Sequence, residues 1–284
     1  VSEGGDADEA VFLSNGLQDS TGGGTEATDN DFYGGDGPDF LFGDDDTNAI
    51  HGGADNDFLF GSAGNDQLFG DTGADFLLDV DGADALYGGT GDDILITNHT
   101  VFAGFDMLSG EDQDSFEASS TDAGDGFSDW LEGDDGNDVL IAGGGADTLL
   151  DGQDNDILIG GGGSDTIALA TDGDTDVLDY NDISEAGDTV TGFDVSAPDT
   201  VGGAGGDLVD LADLLDTGDF AGTTLTQAIT DGYVTLTDNG GNAEVYVDLD
   251  GTAGGTYSDV LVVTLNGIDL GAIPTALDVN IIVD

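Results

Sequence analysis

From residue 34 onward, one large aliphatic side chain returns every nine residues: Leu41, Ile50, Leu59, Leu68, Leu77, Leu86 and Leu95. Each is the middle of a short run such as "FLF", "FLL" or "ILI". In an extended chain the middle residue points to one face and its two neighbours to the other. This predicts strands of about three residues, joined by turns, in a unit that repeats without a gap. The units start at Gly34, Gly43, Gly52, Gly61, Gly70, Asp79 and Gly88. A second block starts at Gly124, Gly133, Ala142, Asp151 and Gly160, and places Leu131, Leu140, Leu149, Leu158 and Ile167 at the eighth position. A looser copy carries Asp176 and Leu178.

The polar half of the unit is as regular. Its sixth residue is Asp39, Asn48, Asp57, Asp66, Asp75, Asp84 and Asp93 in the first block. In the second it is Asp129, Asp138, Asp147, Asp156 and Asp165. Glycines fill the turn, where positive φ is needed. Two units, eighteen residues, make one coil with a strand on each of two sheets. Stacked coils then give parallel strands ~4.8 Å apart. One inward aliphatic per nine residues buries too little apolar surface to offset the ordering of the other eight, so the turns need another source of cohesion.

Composition supplies it. The chain has 284 residues, 63 acids and neither Lys nor Arg. Such a charge alone suggests disorder, but the apolar residues are phased, so a fold is expected once the charge is neutralised. Nothing here neutralises phosphate, which excludes nucleic acid and anionic membrane surfaces as direct partners. Halophilic adaptation would scatter the acids and use Glu freely; the chain has eight Glu against 55 Asp, and the Asp recur in phase. There is no Cys, hence no disulfide or thiolate site. No apolar run reaches the ~18 residues of a spanning helix. Residue 1 is Val, without a basic segment and apolar run behind it; the expectation is a processed start or a fragment, with no uncleaved secretory signal.

The repeated "GGTGDDILI" (88–96), "GDDGNDVLI" (133–141) and "GGGGSDTIA" (160–168) resemble the RTX nonapeptide G-G-x-G-x-D-x-U-x, with U a large aliphatic. The resemblance runs over about 34–179. It implies an all-β chain: a right-handed parallel β-roll, or β-solenoid, of calcium-binding repeats, capped by a β-rich C-terminal domain with one or two short helices. Backbone carbonyls and short carboxylates are hard oxygen ligands suited to Ca2+. In that family each ion sits between stacked turns and takes carbonyls and sixth-position carboxylates from both. The role carries over to Asp39, Asp57, Asp66, Asp75, Asp84, Asp93, Asp129, Asp138, Asp147, Asp156 and Asp165. Asn48 departs from the pattern and implies a weaker site. Carboxylates ~5 Å apart repel by ~3 kcal/mol at an effective dielectric of 20, so multiple Ca2+ binding and folding are expected to be one event.

Three regions follow. Residues 1–33 hold degenerate phrases such as "DNDFYGG". Residues 34–182 form the roll, in blocks 34–96 and 124–179, with an interruption at 97–123 read as a bulged loop or a break between two rolls. Residues 183–284 form the cap. His51 occupies an outward ninth position and His99 lies in the interruption; both read as surface residues. In the cap, "DTVTGFD" (188–194) reads as an exit strand and turn. "DLVDLADLLD" (207–216) has the spacing of a helix behind acidic N-cap candidates. "YVTLT", "AEVYVDLD" and "DVLVVTL" read as strands. "DLDG" (248–251) reads equally as an ion site or a hairpin turn. Together "DLVDLADLL", "VYVDLDGTAGG", "VVTLNGIDL" and "NIIVD" resemble the C-terminal target domain of type I secretion substrates, over about 205–284. That implies the type I secretion machinery as a partner and a secreted or cell-surface location in a Gram-negative bacterium. A β-rich cap closing the solenoid end is an equally sufficient reason for the segment.

Neither H-E-x-x-H nor G-x-S-x-G occurs, and with the array beginning near residue 34 no enzyme domain is expected ahead of it. No catalytic residue is expected. The seventh and ninth positions, which face outward, alternate by repeat. Phe40/Phe42, Phe58/Phe60, Phe76/Leu78 and Ile94/Ile96 are apolar pairs, as are Val139/Ile141 and Ile157/Ile159; Ala49/His51, Gln67/Phe69 and Ala85/Tyr87 are mixed. One outer face is therefore expected to be an apolar ladder. Its N-terminal part, Phe40, Phe42, Phe58, Phe60 and Phe76, is the expected face for self-association into a homopolymer, covered by a neighbour or by Val11, Phe12 and Leu13. The expected function is a secreted, non-enzymatic RTX protein that folds on extracellular Ca2+ and assembles as a surface-layer, filament, biofilm-matrix or adhesin component. The alternatives are the C-terminal folding and secretion module of a larger RTX adhesin or hydrolase, and a monomeric calcium buffer.

Overall fold

The computed structural model describes residues 2–3, 10–12, 30–43, 47–80, 82–97, 127–195, 206–215, 224–249, 259–268, 270 and 281–283. Two parallel sheets face each other across a narrow core. The chain steps from one to the other at every nonapeptide, so the strands partner residues eighteen apart: Phe40 with Phe58, Leu41 with Leu59, Phe42 with Phe60. The first sheet collects Asn30–Asp36, Asn48–Ala54, Gln67–Thr72, Ala85–Thr90, Trp130–Asp135, Thr148–Leu150 and Thr166–Ala168. The second collects Phe40–Phe42, Phe58–Phe60, Phe76–Leu78, Ile94–Ile96, Val139–Ile141, Ile157–Ile159 and Val177–Asp179.

The core is a single file from each sheet. Ile50, Leu68, Leu86, Leu131, Leu149 and Ile167 stack in register in the first, and Leu41, Leu59, Leu77, Leu95, Leu140, Leu158 and Leu178 in the second. All are buried. At most first places of the unit glycine leaves room that a Cβ would overfill; Asp79, Ala142 and Asp151 are the exceptions. A Cβ on Gly88 would lie 2.6 Å from Asp93 Oδ2 and 2.7 Å from the Gly133 carbonyl of the next coil. At the second and fourth places the requirement is conformational: Gly89 and Gly91 have φ of 106° and 128°. Where glycine is missing there, Asp71, Asp134, Asp55 and Asp154 take positive φ, as Asp tolerates better than most side chains.

The interruption does not break the roll. Ile94–Ile96 pairs directly with Val139–Ile141, and Ala85–Thr90 with Trp130–Asp135, so both sheets continue in register across a step of 45 residues. The sheet pairing speaks against a break between two rolls; residues 98–126, with His99, lie outside the described residues.

Beyond residue 182 the strands add to the same two sheets. Asp188–Thr191 pairs with Thr166–Ala168, and Leu208–Asp210 with Val177–Asp179. Val260–Leu265 and Ile281–Ile282 extend these in turn. Only at the end does the first sheet change direction, through the antiparallel strands Val234–Asp238 and Ala243–Val247. The expected helix over "DLVDLADLLD" is corrected here. Its first half is the strand Leu208–Asp210, with Val209 buried in line with Leu178, and only Ala212–Leu215 is helical. The D-x-U-x phrase keeps the coil register, and Asp210 Oδ1 then accepts the Ala212 N–H at 2.9 Å to start the short helix. A second helix, Leu225–Asp231, is capped by Thr224 and ends on Gly232 at φ 81°. The strand Ala10–Phe12 pairs edge-on with Phe40–Phe42, so it prolongs the second sheet where a covering role for Val11, Phe12 and Leu13 was an option; Leu13 lies outside the described residues.

Candidate metal centre: two carboxylate ladders

Each sixth-position residue sits where a turn enters a strand, so the coils stack these side chains into two ladders, one per edge. One edge carries Asn48, Asp66, Asp84, Asp129, Asp147 and Asp165. The other carries Asp39, Asp57, Asp75, Asp93, Asp138 and Asp156. Within a ladder the rungs are linked by one repeated hydrogen bond: the backbone N–H of each rung donates to Oδ1 of the next. Asp57 N–H reaches Asp75 Oδ1 at 2.7 Å, and Asp84 N–H reaches Asp129 Oδ1 at 2.8 Å across the interruption.

On six of the rungs the other oxygen has no such partner. Oδ2 of Asp57, Asp75, Asp93, Asp138, Asp156 and Asp165 is buried without a hydrogen bond. Beside it lie the first-place glycine and the carbonyl of the next coil, as at Gly88, where Asp93 Oδ2 and the Gly133 carbonyl converge. Oxygens facing oxygens in a dry turn repel unless a cation or a proton lies among them. The chain has no Lys or Arg to serve. Burial first, and the neighbouring carboxylates after it, push Asp57, Asp75 and Asp93 up to about 7, and Asp138, Asp156 and Asp165 to about 8, despite the N–H bonds that oppose the rise. The donor set is all oxygen, dense and anionic, and fits Ca2+.

The ladders run further than the nonapeptide. Asp156 N–H donates to Asp176 Oδ1 (3.0 Å), Asp165 N–H to Asp188 Oδ1 (2.8 Å) and Asp176 N–H to Asp207 Oδ1 (3.3 Å). Asp188 and Asp207 were not among the expected ligands. Their signal was the D-x-U-x phrase, in "DTVT" and "DLVD", and it was hidden because the spacing grows from 18 to 23 and 31 residues. Asp188 has its own partner, the Tyr180 hydroxyl at 2.9 Å. Residues 250–251 of "DLDG" lie outside the described residues.

On the outer face of the second sheet Phe40, Phe58 and Phe76 stack with ring centroids 5.9 and 5.2 Å apart, and Phe42 and Phe60 pair edge-on at 6.1 Å. Phe40 is 53% exposed, while Phe42, Phe58, Phe60 and Phe76 are half-buried. The ninth positions that continue the ladder, Leu78, Ile96, Ile141 and Ile159, are buried. The seventh positions Ile94, Val139 and Ile157 are half-buried like Phe58 and Phe76, and of this ladder Phe40 stands exposed. The mixed repeats hold a second column: Tyr33, His51, Phe69 and Tyr87 stack on the first sheet at 4.4–4.8 Å, nearly parallel. Reading the outward positions in pairs concealed it, since Ala49, Gln67 and Ala85 share those strands. His51 is a member of this column, with Nδ1 3.5 Å from Asp71 Oδ2.

Residues 25–59, 42–77, 79–98, 123–150 and 141–176 match the family model of the RTX calcium-binding nonapeptide repeat (4 copies). Among solved structures the chain is similar to the extracellular lipase LipA from Serratia marcescens, at 17% identity and a TM-score of 0.21. That alignment covers 87% of this chain and 40% of the lipase. No curated protein sequence matches the chain. Among the described residues no helix is long and apolar enough to cross a membrane.

Proposed function

This chain carries RTX calcium-binding nonapeptide repeats and binds Ca2+ through them, and from that premise we propose a secreted, non-enzymatic protein that folds on meeting external Ca2+ and then assembles with copies of itself, as a surface-layer, filament, adhesin or biofilm-matrix component. The observation that carries the folding half is the row of buried Oδ2 atoms without a hydrogen bond on Asp57, Asp75, Asp93, Asp138 and Asp156, along one edge. Ca2+ would supply the positive charge between stacked turns. The sixth-position aspartates would hold it, while their Oδ1 atoms accept the N–H of the preceding coil and so tie two coils together. Without the ion the same groups are charged at neutral pH in the open chain and repel when stacked. A chain kept open in a calcium-poor cytosol is a suitable cargo for type I export, with residues 183–284 as the segment read by that machinery.

The assembly half rests on the Phe40–Phe58–Phe76 stack, which ends in an exposed ring. Covering each large apolar side chain is worth about 1.5–3 kcal/mol, and Ca2+ lowers the charge that separates two such molecules. Sedimentation in millimolar Ca2+ is the test. The wild type is expected as polymer, and Phe58→Ser with Phe60→Ser as a folded monomer. A monomeric wild type overturns the assembly half and leaves a calcium-folding module of a larger RTX adhesin or hydrolase.

A further inference from the structure

Three repeats break the rule that the first place of the unit is glycine: Ala142 keeps the place small, and the other two carry the same residue, Asp. Asp79 stands there on one edge and Asp151 on the other. Both are buried, at 0% and 2% exposure. The Asp79 carboxylate reaches back to the preceding coil, into the space that a side chain on Gly61 would fill. Its Oδ1 accepts the Val80 N–H at 2.9 Å, and its Oδ2 is buried with no hydrogen-bond partner. There it meets two sixth-position carboxylates: Asp66, Asp79 and Asp84 each offer an oxygen within 4.8 Å of the others. Asp151, Asp156 and Asp176 do the same on the opposite edge. Gly152 and Ala170 donate backbone N–H groups to Asp151, at 2.6 and 2.9 Å, which fixes its carboxylate in place. Oδ2 of Asp156 and of Asp176 is left buried and unpartnered, toward the same cluster.

We infer that Asp79 and Asp151 each turn one rung into a three-carboxylate cation site, one on each edge, that holds Ca2+ more tightly than the two-carboxylate rungs and fills first. The inference rests on the reading of the ladders as calcium sites. Its reason is charge: a third formal negative group, pre-placed by the fold, raises the attraction for a hard cation, and affinity in oxygen-ligand sites follows the count of charged ligands. Two early sites on opposite edges, in different coils, would also pin each edge of the roll before the weaker rungs load.

Calcium binding measured by competition with a chromophoric chelator, on the full chain, tests this. The wild type should show two ions bound at roughly tenfold lower free Ca2+ than the rest. Asp79→Gly and Asp151→Gly, which restore the repeat consensus, should each remove one of the two, and the double variant both. Asp79→Asn and Asp151→Asn, which keep the shape and lose the charge, should behave likewise if a glycine variant fails to fold. An unchanged early class in the double variant overturns the inference while leaving the calcium reading intact. Tighter binding in Asp79→Gly overturns it too, because the carboxylate would then be a plug in place of the ion. A wild type that binds no Ca2+ at all removes both readings.

Discussion

Leu86 in the roll and Val263 near the C-terminal end are equally buried, yet their surroundings differ. Around Leu86 the chain supplies one inward side chain per strand, and the turns on both edges are lined with carboxylates. Around Val263 the apolar density is that of an ordinary sheet: Ala243, Val245 and Val247 alternate inward on one strand, Val263 and Leu265 do so on the next, and Val262 is buried at a shift of register. A capped helix, Leu225–Asp231, packs Leu225 and Ala228 on this end. The C-terminal end thus draws its cohesion from apolar burial. The roll exchanges most of that for oxygen-lined turns, and its stability becomes a property of what fills them.

Protons should break the comparison most visibly. The rung carboxylates have pKa values raised by burial from 3.8 to about 7–9. In the folded, ion-free roll they therefore bind protons that the open chain releases. Stability from this source is present below about pH 4 and is lost as pH rises through 7 to 9. In chelator, lowering the pH from 8 to 5 should restore β-structure, read by circular dichroism. Calcium affinity should fall over the same range. An ion-free chain that stays unfolded at pH 5 would separate burial from the ladder charge and count against the geometry described.

Much of this was legible because the roll has one-residue precision. The inward residue of each nonapeptide, Leu41 through Ile167, and the register of eighteen follow from spacing alone. The aspartates read as candidate ligands fall on the two ladders. What spacing missed is where the period stretches: Asp188 and Asp207 continue the ladders at 23 and 31 residues. The strand Leu208–Asp210 carries a helical spacing that its sheet partner overrides. The helix Leu225–Asp231 begins in a Thr-rich stretch with weak helical preference, and its caps, Thr224 and Gly232, carry the signal instead. The stacking of His51 between Tyr33 and Phe69 depends on residues eighteen apart sharing a face, which shows only when the coil is closed.

A methyl group at a glycine should sharpen the contrast at the next level. Gly88→Ala forces a Cβ against Asp93 Oδ2 and the Gly133 carbonyl. It should cost about 1–3 kcal/mol in Ca2+ through overpacking and weaken calcium binding. Gly240→Ala, in the turn between two C-terminal strands, meets nothing within 4 Å at φ 70°. It should cost only about 1 kcal/mol, from backbone conformation, and leave calcium binding unchanged. Thermal melts and a calcium titration of the two variants check both halves.

A comparable effect is expected at Asn48, a rung without a carboxylate. Asn48 N–H and Nδ2 both point to Asp66 Oδ1, at 2.7 and 3.4 Å. Asn48→Asp should raise calcium affinity, and Asp66→Asn lower it, each by roughly tenfold, or about 1.4 kcal/mol. Calorimetric titration showing neither change would argue against ligation by the sixth position.

The central claim is that the roll folds only when its ladders are filled. Far-ultraviolet circular dichroism of the wild-type chain at pH 7.5, in excess chelator and then in millimolar Ca2+, tests it most directly. The account predicts an expanded, largely unstructured chain in chelator and a β-rich spectrum on adding Ca2+, reversed by more chelator. A β-rich spectrum that is the same in both would contradict it.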